Sequence, residues 1–469
     1  MTPSGILRKR THLLEFISVT SLALVVRFVF LWQIETPFFD PWRHMVLFRN
    51  LADGDGFTLF AGQPYLWYNF VWYRLAALLH PVVSPLVFAG LLSAACVGFL
   101  YLFVRRIDPE SSAPLIASAL LAIHGPTINF TCHLGSESMA LCCLLAALYL
   151  STHERWWSLV LAGMLMAICL VSRMNFAPAI FLFLFSLSIR RYVAFVAAVV
   201  VGLLPFWIYN FSVISAHEYL FTWDGLATDT EGFNLISTLV VPMHPTVQAT
   251  ALKTYLEMAV YPEWIHGPRG YCVGTIVFMA LGTIMTLISR RKETIATLAV
   301  FCILILLFDR SMTGYFFRHY LIVFIVCFIA TAQVVARLRG KWTAVVVVVV
   351  FGGLDAGYLM PEPFYPIEDL TPPREFLTED HYMANSGTYH PESLAFAFPD
   401  KKFIGLPGDH SEWSNFVKNY PTYKRFILWR RYHSVQDDLI LMLRHHGTYK
   451  VIRTTTNSIG IEYSVLEEQ

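Results

Sequence analysis

Three charged side chains stand in or beside long apolar stretches, where a charge is costly and therefore informative. Asp40 closely follows the first apolar run, and Glu137 and Arg173 border later ones. A carboxylate held at the mouth of a cavity can act as a general base towards a hydroxyl group, which is the functional interpretation of Asp40. The structural alternatives are that Asp40 and Glu137 cap helices and that Arg173 extends its head group to the membrane surface. Spacing alone leaves these alternatives open.

The overall composition indicates the environment of these charges. Of the 469 residues, 56% are hydrophobic and only 14% are charged, whereas soluble domains average about 25% charged residues. This deficit, together with repeated apolar runs, predicts an integral membrane protein embedded in a lipid bilayer. A net charge of +1 without any Lys/Arg-rich run argues against a nucleic-acid partner. The eight cysteines follow no disulfide or zinc pattern, and most lie inside apolar runs.

Eleven apolar segments predict a polytopic α-helical membrane protein. Basic residues occupy alternate gaps between them, and the positive-inside rule places those gaps in the cytoplasm. The first segment follows the basic stretch Arg8–Arg10 and has no cleavage site after it, so we expect an uncleaved helix with a cytoplasmic N-terminus. The segments are 13–34, 86–104, 112–128, 137–151, 157–171, 176–189, 192–209, 271–289, 294–308, 316–336 and 342–358.

The other gaps lie on the outer side under this topology. Three of them are long: residues 35–85, residues 210–270 and the part from residue 359 onward. We therefore expect a transmembrane domain at 1–358 and an extracytoplasmic domain at 359–469. The expected location is the cell (inner) membrane, crossed many times; the alternative is the endoplasmic reticulum, where the outer side is the lumen.

Two central segments, 157–171 and 176–189, fall below the roughly 20 residues of a full span. The turn between them, "SRMN", is then expected below the outer surface, and the stretch "HGPTINFTCHLGSES" is similar. Irregular backbone at such depth needs protein or a water-filled cavity around it. We infer an outward-facing cavity with Arg173 and Glu137 near its floor.

The stretch "FFDPWRHMVLFRNLADGDGF", residues 38–57, predicts a helix directly after the first transmembrane segment. Asp40 is suited to the N-cap and Pro41 to the first helical position, while Gly54 is suited to the end of the helix.

This helix is predicted to be amphipathic. Leu47, Phe48 and Leu51 form an apolar stripe, and Arg43 lies on the polar face. We expect the helix on the outer membrane surface, followed by a second amphipathic helix at 68–79, "YNFVWYRLAALL".

Four stretches resemble, in order, motifs of the GT-C membrane glycosyltransferases, which take a sugar from a polyprenyl- or dolichyl-phosphate carrier. "RNLADGDGFTLFAGQPYLWYNFVW" is similar to the family's first outer loop with its "ARNLAEGHGF"-like helix. "LGSESMALCCLLAALYL" is similar to the "GLETxLF" helix, and "LAGMLMAICLVSRMNFAPAI" to the "LAGLLLGLAALTRPDGLLL" hairpin. "FFRHYLIVFIVCFIA" is similar to the late "RYLLPVLPFLALLAA" helix. The resemblance covers most of residues 1–358 and includes protein mannosyltransferase-like and arabinofuranosyltransferase-like enzymes.

The resemblance implies an enzyme that moves a hexose or pentose from a polyprenyl-phosphate donor to a hydroxyl of a glycan, lipid or protein acceptor on the outer face, with inversion. Asp40 falls at the family's acidic position and is the expected catalytic base. The residues expected to bind substrate are Arg173, Glu137, Arg318, His319 and Arg43.

Two positions depart from the family pattern. Phe39 stands at the first acid of the usual pair, so no paired-acid motif supports a divalent metal, and we expect no cofactor. Met174 and Asn175 replace the Pro-Asp of the hairpin turn. A catalytically inactive relative is therefore one alternative. A transporter or flippase of a lipid-linked or anionic solute is another, since it also explains buried charges and short helices.

The part from residue 359 onward has a different character. "YLMPEPFYPIEDLTPP" reads as a proline-rich linker, and "KKFIGLP", "KRFILWRR" and "YKVIRTTT" predict strands. "DDLILMLRHHG" predicts a helix between two of them. These elements predict a small α/β domain on the extracytoplasmic side.

The predicted topology can be checked by labelling single introduced cysteines in intact cells with a membrane-impermeant reagent. Cysteines at positions 55, 230 and 415 should be labelled from outside, and a cysteine at position 292 should react only after permeabilisation. Labelling of position 292 from outside would contradict the positive-inside assignment.

Overall fold

The computed structural model describes residues 3–33, 39–56, 58–60, 63–64, 70–80, 82–132, 136–216, 219–221, 227–229, 284, 321–338, 341–354, 371–384, 394–395, 397–406, 418–419, 421–430, 449–456 and 462–468. Within these residues the protein is mostly helical and carries a small sheet near its C-terminus. Three helical stretches are long and apolar enough to cross a membrane: Arg10–Gln33, Pro85–Ile107 and Ile189–Ser212. A bent pair, Ala113–Ile123 and Gly125–Cys132, makes a fourth if it counts as one span. The number eleven stays a prediction.

The helices follow the predicted apolar segments closely where the structure describes them. Of the predicted segments, 294–308 lies outside the described residues, and only Ile284 is described within 271–289. The helices are α1 Pro3–Gln33, α2 Phe39–Asp53, α3 Phe70–Leu79, α4 Pro85–Ile107, α5 Ala113–Ile123, α6 Gly125–Cys132, α7 Glu137–Ser151, α8 Trp156–Ser172, α9 Ile180–Ser186, α10 Ile189–Ala216, α11 Leu321–Val335 and α12 Lys341–Leu354. Two 3₁₀ helices, Met174–Ala179 and Arg374–Phe376, are also present.

Hydrogen bonds donated by arginine side chains connect four chain segments at one end of the helical bundle. Arg105 at the end of α4 bonds His12 near the start of α1, and Arg106 donates to His153, just after α7, at 3.2 Å. Arg191 at the start of α10 donates to the backbone oxygen of His153. We call this the basic end, and we call the opposite end, where α1 finishes and α4 starts, the loop end. The predicted topology requires these basic segments to share one side.

Helix α2 begins one residue before Asp40, so Asp40 lies in the first turn and not at the predicted N-cap. A shift of one residue at a helix end is common, because capping preferences tolerate neighbouring registers. The predicted end of the helix is confirmed: α2 stops at Asp53, and Gly54 follows with φ +88°, a left-handed conformation that glycine adopts without a steric penalty.

The apolar stripe of α2 faces protein. Leu47 and Phe48 are fully buried, and the Phe48 ring packs against Trp72 at 6.0 Å and Tyr73 at 5.4 Å, both on α3. The expectation that this stripe lies against lipid is therefore wrong. The helix predicted at 68–79 corresponds to α3, which supplies the apolar surface that α2 needs.

The C-terminal segment packs onto α2. Arg49 of α2 donates a 2.9 Å hydrogen bond to the backbone oxygen of Ala395. Burial lowers the pKa of Arg49, and the nearby Asp53 and Asp55 partly offset this effect. The first loop and the C-terminal part are thus in direct contact.

Five strands form the C-terminal sheet, in the order β6-β5-β7-β9-β8. Strand β5 is parallel to β6 and β7, whereas β9 is antiparallel to β7 and β8. The three predicted strands are confirmed as β6, β7 and β8, while β5 and β9 were not predicted. The helix predicted from "DDLILMLRHHG" lies outside the described residues. The strands of this sheet are β5 His381–Ala384, β6 Lys402–Gly405, β7 Arg425–Arg430, β8 Tyr449–Thr456 and β9 Glu462–Glu468. Two separate pairs of short strands precede it: β1 Thr58–Phe60 with β2 Gln63–Pro64, and β3 Tyr219–Phe221 with β4 Ala227–Asp229.

Candidate functional site

The structure brings Glu137 and Arg173 together as an ion pair. Glu137 is the first residue of α7, and Arg173 follows the last residue of the neighbouring α8, so both lie towards the loop end. Only 4% of the Glu137 side chain and 12% of the Arg173 side chain are exposed. The alternatives that Arg173 extends to the surface and that Glu137 only caps α7 are therefore not what the structure shows.

The ion pair lies well below the loop end of the bundle. The thiol of Cys96 in α4 lies 3.9 Å from the backbone oxygen of Ser138, next to Glu137. Cys96 is eleven residues beyond Pro85, where α4 begins, which corresponds to about 16 Å along a helix axis. Helix α7 thus starts about 16 Å deeper than α4, and we call the region around the pair at this depth the recess.

A break in regular helix at the end of α8 positions Arg173. Its backbone is extended, with φ −153° and ψ 103°, and its N–H bonds the Cys169 oxygen. The chain turns into the 3₁₀ helix Met174–Ala179, where the Phe176 N–H bonds the Arg173 oxygen at 3.0 Å. Phe176 is fully buried and anchors the turn. The backbone therefore turns back at the depth of the pair, and the position of "SRMN" below the outer membrane surface stays a prediction.

The predicted turn "HGPTINFTCHLGSES" is mostly helical instead. Helix α6 runs from Gly125 to Cys132 and meets α5 at 61°. Pro126 supplies no N–H to the preceding turn, which allows the helix to break there and resume in a new direction. Among the described residues of this stretch, only His124 and Ser136 lie outside a helix.

The Arg173 guanidinium retains hydrogen-bonding capacity beyond the ion pair. Its Nε atom is buried and has no hydrogen-bond partner among the described residues. A buried donor of this kind normally has a partner. The group is therefore available to a ligand with acceptor oxygens.

Asn210 of α10 is a further polar side chain that sequence analysis missed. Helices α8 and α10 run side by side: a Cβ on Gly163 would lie 2.5 Å from that of Ala198, and one on Gly202 would lie 2.6 Å from that of Ala167. If α8 and α10 keep this alignment, Asn210 lies at the same height along the bundle as the turn that follows Arg173. Asn210 is 2% exposed, and its Oδ1 atom has no hydrogen-bond partner in the part of the chain that the structure describes.

Arg27, in the C-terminal third of α1, is a second missed residue. It is completely buried and bonds Ser93 of α4 at 2.9 Å. The signal was present in the sequence, since a single arginine interrupts the apolar run 13–34. An intramembrane arginine indicates a functional or architectural role.

The remaining predicted site residues are not placed by the structure. Arg318 and His319 lie outside the described residues, and only the backbone of Asp40 and Arg43 is described, in the first turn of α2. Among the side chains that are described, no three His, Cys, Asp or Glu groups lie close enough together to hold a metal ion.

Fold and site together define a mostly helical protein with several helices able to cross a membrane and a recessed carboxylate–guanidinium pair. No protein-family model matches the chain, and no curated protein sequence is significantly similar to it.

The energetic coupling between Glu137 and Arg173 can be measured with a double-mutant cycle. Glu137→Leu or Arg173→Met alone leaves one buried charge unpaired, which should cost about 3–5 kcal/mol of unfolding free energy. The double variant removes both charges and should be clearly more stable than the sum of the single effects predicts. Unfolding in detergent micelles measures these differences, and additive effects would show that the two groups do not stabilise each other.

Proposed function

We propose that the protein is a membrane glycosyltransferase that moves a sugar from a polyprenyl-phosphate donor to an acceptor hydroxyl. The observation that carries this proposal is the recessed Glu137–Arg173 pair with the open Nε atom of Arg173. Both residues fall at matching positions of the resembling motifs. Removing a sugar from its carrier leaves negative charge on the lipid phosphate, and a guanidinium in a water-poor site stabilises that charge.

A phosphate group bound beside Glu137 and Arg173 needs positive charge from other residues, because the charges of these two side chains nearly cancel each other. Arg74 of α3 lies within electrostatic range of Tyr209, which neighbours Asn210 on α10. Arg74 is therefore a candidate to guide the donor phosphate into the recess. Arg318, which the resemblance to the GT-C motifs implies, is a second candidate.

The proposed reaction is a single displacement. Asp40 accepts the proton of the acceptor hydroxyl while that oxygen attacks the anomeric carbon. The bond between the anomeric carbon and the phosphate oxygen breaks, the carbon is inverted, and polyprenyl phosphate leaves with the bonding electron pair. Arg173 stabilises the leaving phosphate. Glu137 orients Arg173, and the Asn210 carboxamide accepts a hydrogen bond from a sugar hydroxyl.

The function is tested with purified full-length protein in lipid nanodiscs, using polyprenyl-phosphate sugars that carry a radiolabelled sugar. The proposal expects release of polyprenyl phosphate together with labelled sugar bound to an added acceptor. Intact donor after long incubation with a panel of sugars and acceptors would argue against it.

Arg173 variants test the proposed donor site. Arg173→Lys keeps a cation beside Glu137 but lacks the Nε donor and the planar fork. We expect weaker binding of polyprenyl phosphate, intermediate between wild type and Arg173→Ala. The alanine variant should lose about 10- to 150-fold, the scale of a hydrogen bond to a charged group. Equilibrium binding in nanodiscs measures the affinity, and Arg105→Lys at the basic end is the matched control. Unchanged affinity in both Arg173 variants would assign the residue a purely structural role.

Asp40→Asn tests the proposed general base. Asparagine has nearly the same shape as aspartate, but it cannot take up the acceptor proton. Donor binding and insertion should therefore stay normal, while transfer should fall by about 10²-fold or more. Near-normal turnover would place the base elsewhere, with Glu137 as the next residue to test.

A second function, movement of a lipid-linked or anionic solute across the membrane, is favoured by one observation. The break between α5 and α6 and the buried Arg27 resemble the discontinuous helices and buried charges of transporters. The nanodisc experiment is repeated in sealed vesicles to separate the two functions. Movement of donor without cleavage supports transport, and cleavage supports transfer.

A further inference from the structure

The break between α5 and α6 leaves backbone groups without their helical partners. In a continuous helix, the Ala122 oxygen would accept from residue 126 and the Leu121 oxygen from residue 125. Residue 126 is a proline and has no N–H. The carbonyl groups at the end of α5 therefore need donors from another element, since no water is available inside an apolar bundle.

Arg27 supplies these donors from α1. Its Nη1 donates to the Ala122 oxygen at 2.6 Å, and its Nη2 donates to the Leu121 oxygen at 3.3 Å. A cation at this position also interacts favourably with the negative end of the α5 dipole. The guanidinium thus terminates α5 in place of the missing N–H groups.

His124 satisfies the other side of the break. Its Nδ1 atom accepts from the Thr127 N–H at 3.3 Å and lies 2.7 Å from the Thr127 hydroxyl. The ring therefore acts as the N-cap of α6 and packs against Phe324 of α11 at 4.5 Å. Both faces of the break are capped by side chains that the bundle holds rigidly.

The same guanidinium also reaches α6 through a second helix. Arg27 Nε bonds the Ser93 hydroxyl of α4 at 2.9 Å, and that hydroxyl lies 2.6 Å from the Thr131 hydroxyl of α6. Next to this contact, Cys132 and Ile128 of α6 pack against Phe30, one turn beyond Arg27 on α1. Helix α6 then leads within a few residues to Glu137.

We propose that Arg27 is a positioning residue that holds α6 in place across the break and thereby sets the position of Glu137. All its hydrogen-bond partners are neutral, and no carboxylate among the described residues pairs with it. A net charge buried without a counterion is costly, so a proline break alone does not explain it. Terminating α5 while restraining α6 through Ser93 requires several donors on one rigid group, which arginine provides and lysine does not.

The test uses the native cysteines of the full-length protein in nanodiscs. Cys132 is buried in α6, whereas Cys96, Cys142 and Cys169 are buried in α4, α7 and α8. Alkylation by N-ethylmaleimide is followed at each cysteine by peptide mass spectrometry. Arg27→Met should accelerate alkylation of Cys132 by about tenfold or more, the scale of losing one hydrogen bond to a charged group. The three reference cysteines should stay protected.

Two further variants keep the test decisive. Arg105→Met removes an arginine at the basic end and should leave Cys132 protected. Arg27→Lys keeps a donor for the carbonyl groups at the end of α5, so it should fold even if Arg27→Met does not, and it should still expose Cys132 selectively. Protection of Cys132 equal to wild type in the Arg27 variants would overturn the proposal. Equal acceleration at all four cysteines in Arg27→Lys would overturn it as well.

A second readout links Arg27 to the proposed function. If α6 positions Glu137, Arg27→Lys should also weaken binding of polyprenyl phosphate, although Arg27 lies outside the recess. Selective exposure of Cys132 with unchanged phosphate affinity would overturn the link to Glu137. If the wild-type protein does not bind polyprenyl phosphate, the proposed function fails, and the alkylation result still decides whether Arg27 holds α6.

Discussion

The structure depends on one constraint: inside an apolar bundle, every broken backbone hydrogen bond and every charge needs a protein partner, because water cannot supply one. The chain departs from regular helix at two deep points, after α5 and after α8. At the first, Arg27 and His124 satisfy the exposed backbone groups from either side. At the second, Arg173 leaves the helix and pairs with Glu137. A charged side chain therefore lies at each of the two points where regular helix ends.

The two departures cooperate in building the recess. The bend after α5 allows α6 and the start of α7 to lie deep beside α4, and the early end of α8 brings Arg173 to the same depth. Close approach of α8 and α10, through Gly163 and Gly202, then adds Asn210 at that level. Helices α2 and α3 bury their apolar faces against each other, through Phe48 of α2 and Trp72 and Tyr73 of α3.

The helical part of the fold was largely predictable because long apolar runs bounded by basic residues leave few alternatives. The segment 137–151 corresponds to α7 residue for residue. Two strands of the C-terminal sheet were missed for different reasons. Strand β5 has only four residues, and β9 carries several acidic residues, so neither gives a clear strand pattern. The order of the sheet depends on long connections that local patterns do not encode.

Individual residues of the candidate site could be predicted from the sequence, but their arrangement could not. Glu137 and Arg173 were both selected from the sequence, but their pairing depends on how α7 and α8 pack. Arg27 was not predicted because a single arginine within a long apolar run hardly changes the hydropathy pattern. Asn210 escaped because asparagine in an apolar helix becomes informative only when its burial is known. Side chains that act through tertiary contacts are thus the ones that local sequence patterns do not reveal.

The hydrogen bond between Arg49 and the Ala395 backbone has a consequence for biogenesis. Its two ends are separated by 346 positions in the chain, so the bond cannot form before Ala395 has been synthesised. The helices from α3 to α12 lie between these two positions and are synthesised earlier. The first loop therefore reaches its final contacts only after this helical part of the chain exists. A nascent chain that stalls before Ala395 contains these helices but lacks the contact between α2 and the C-terminal part.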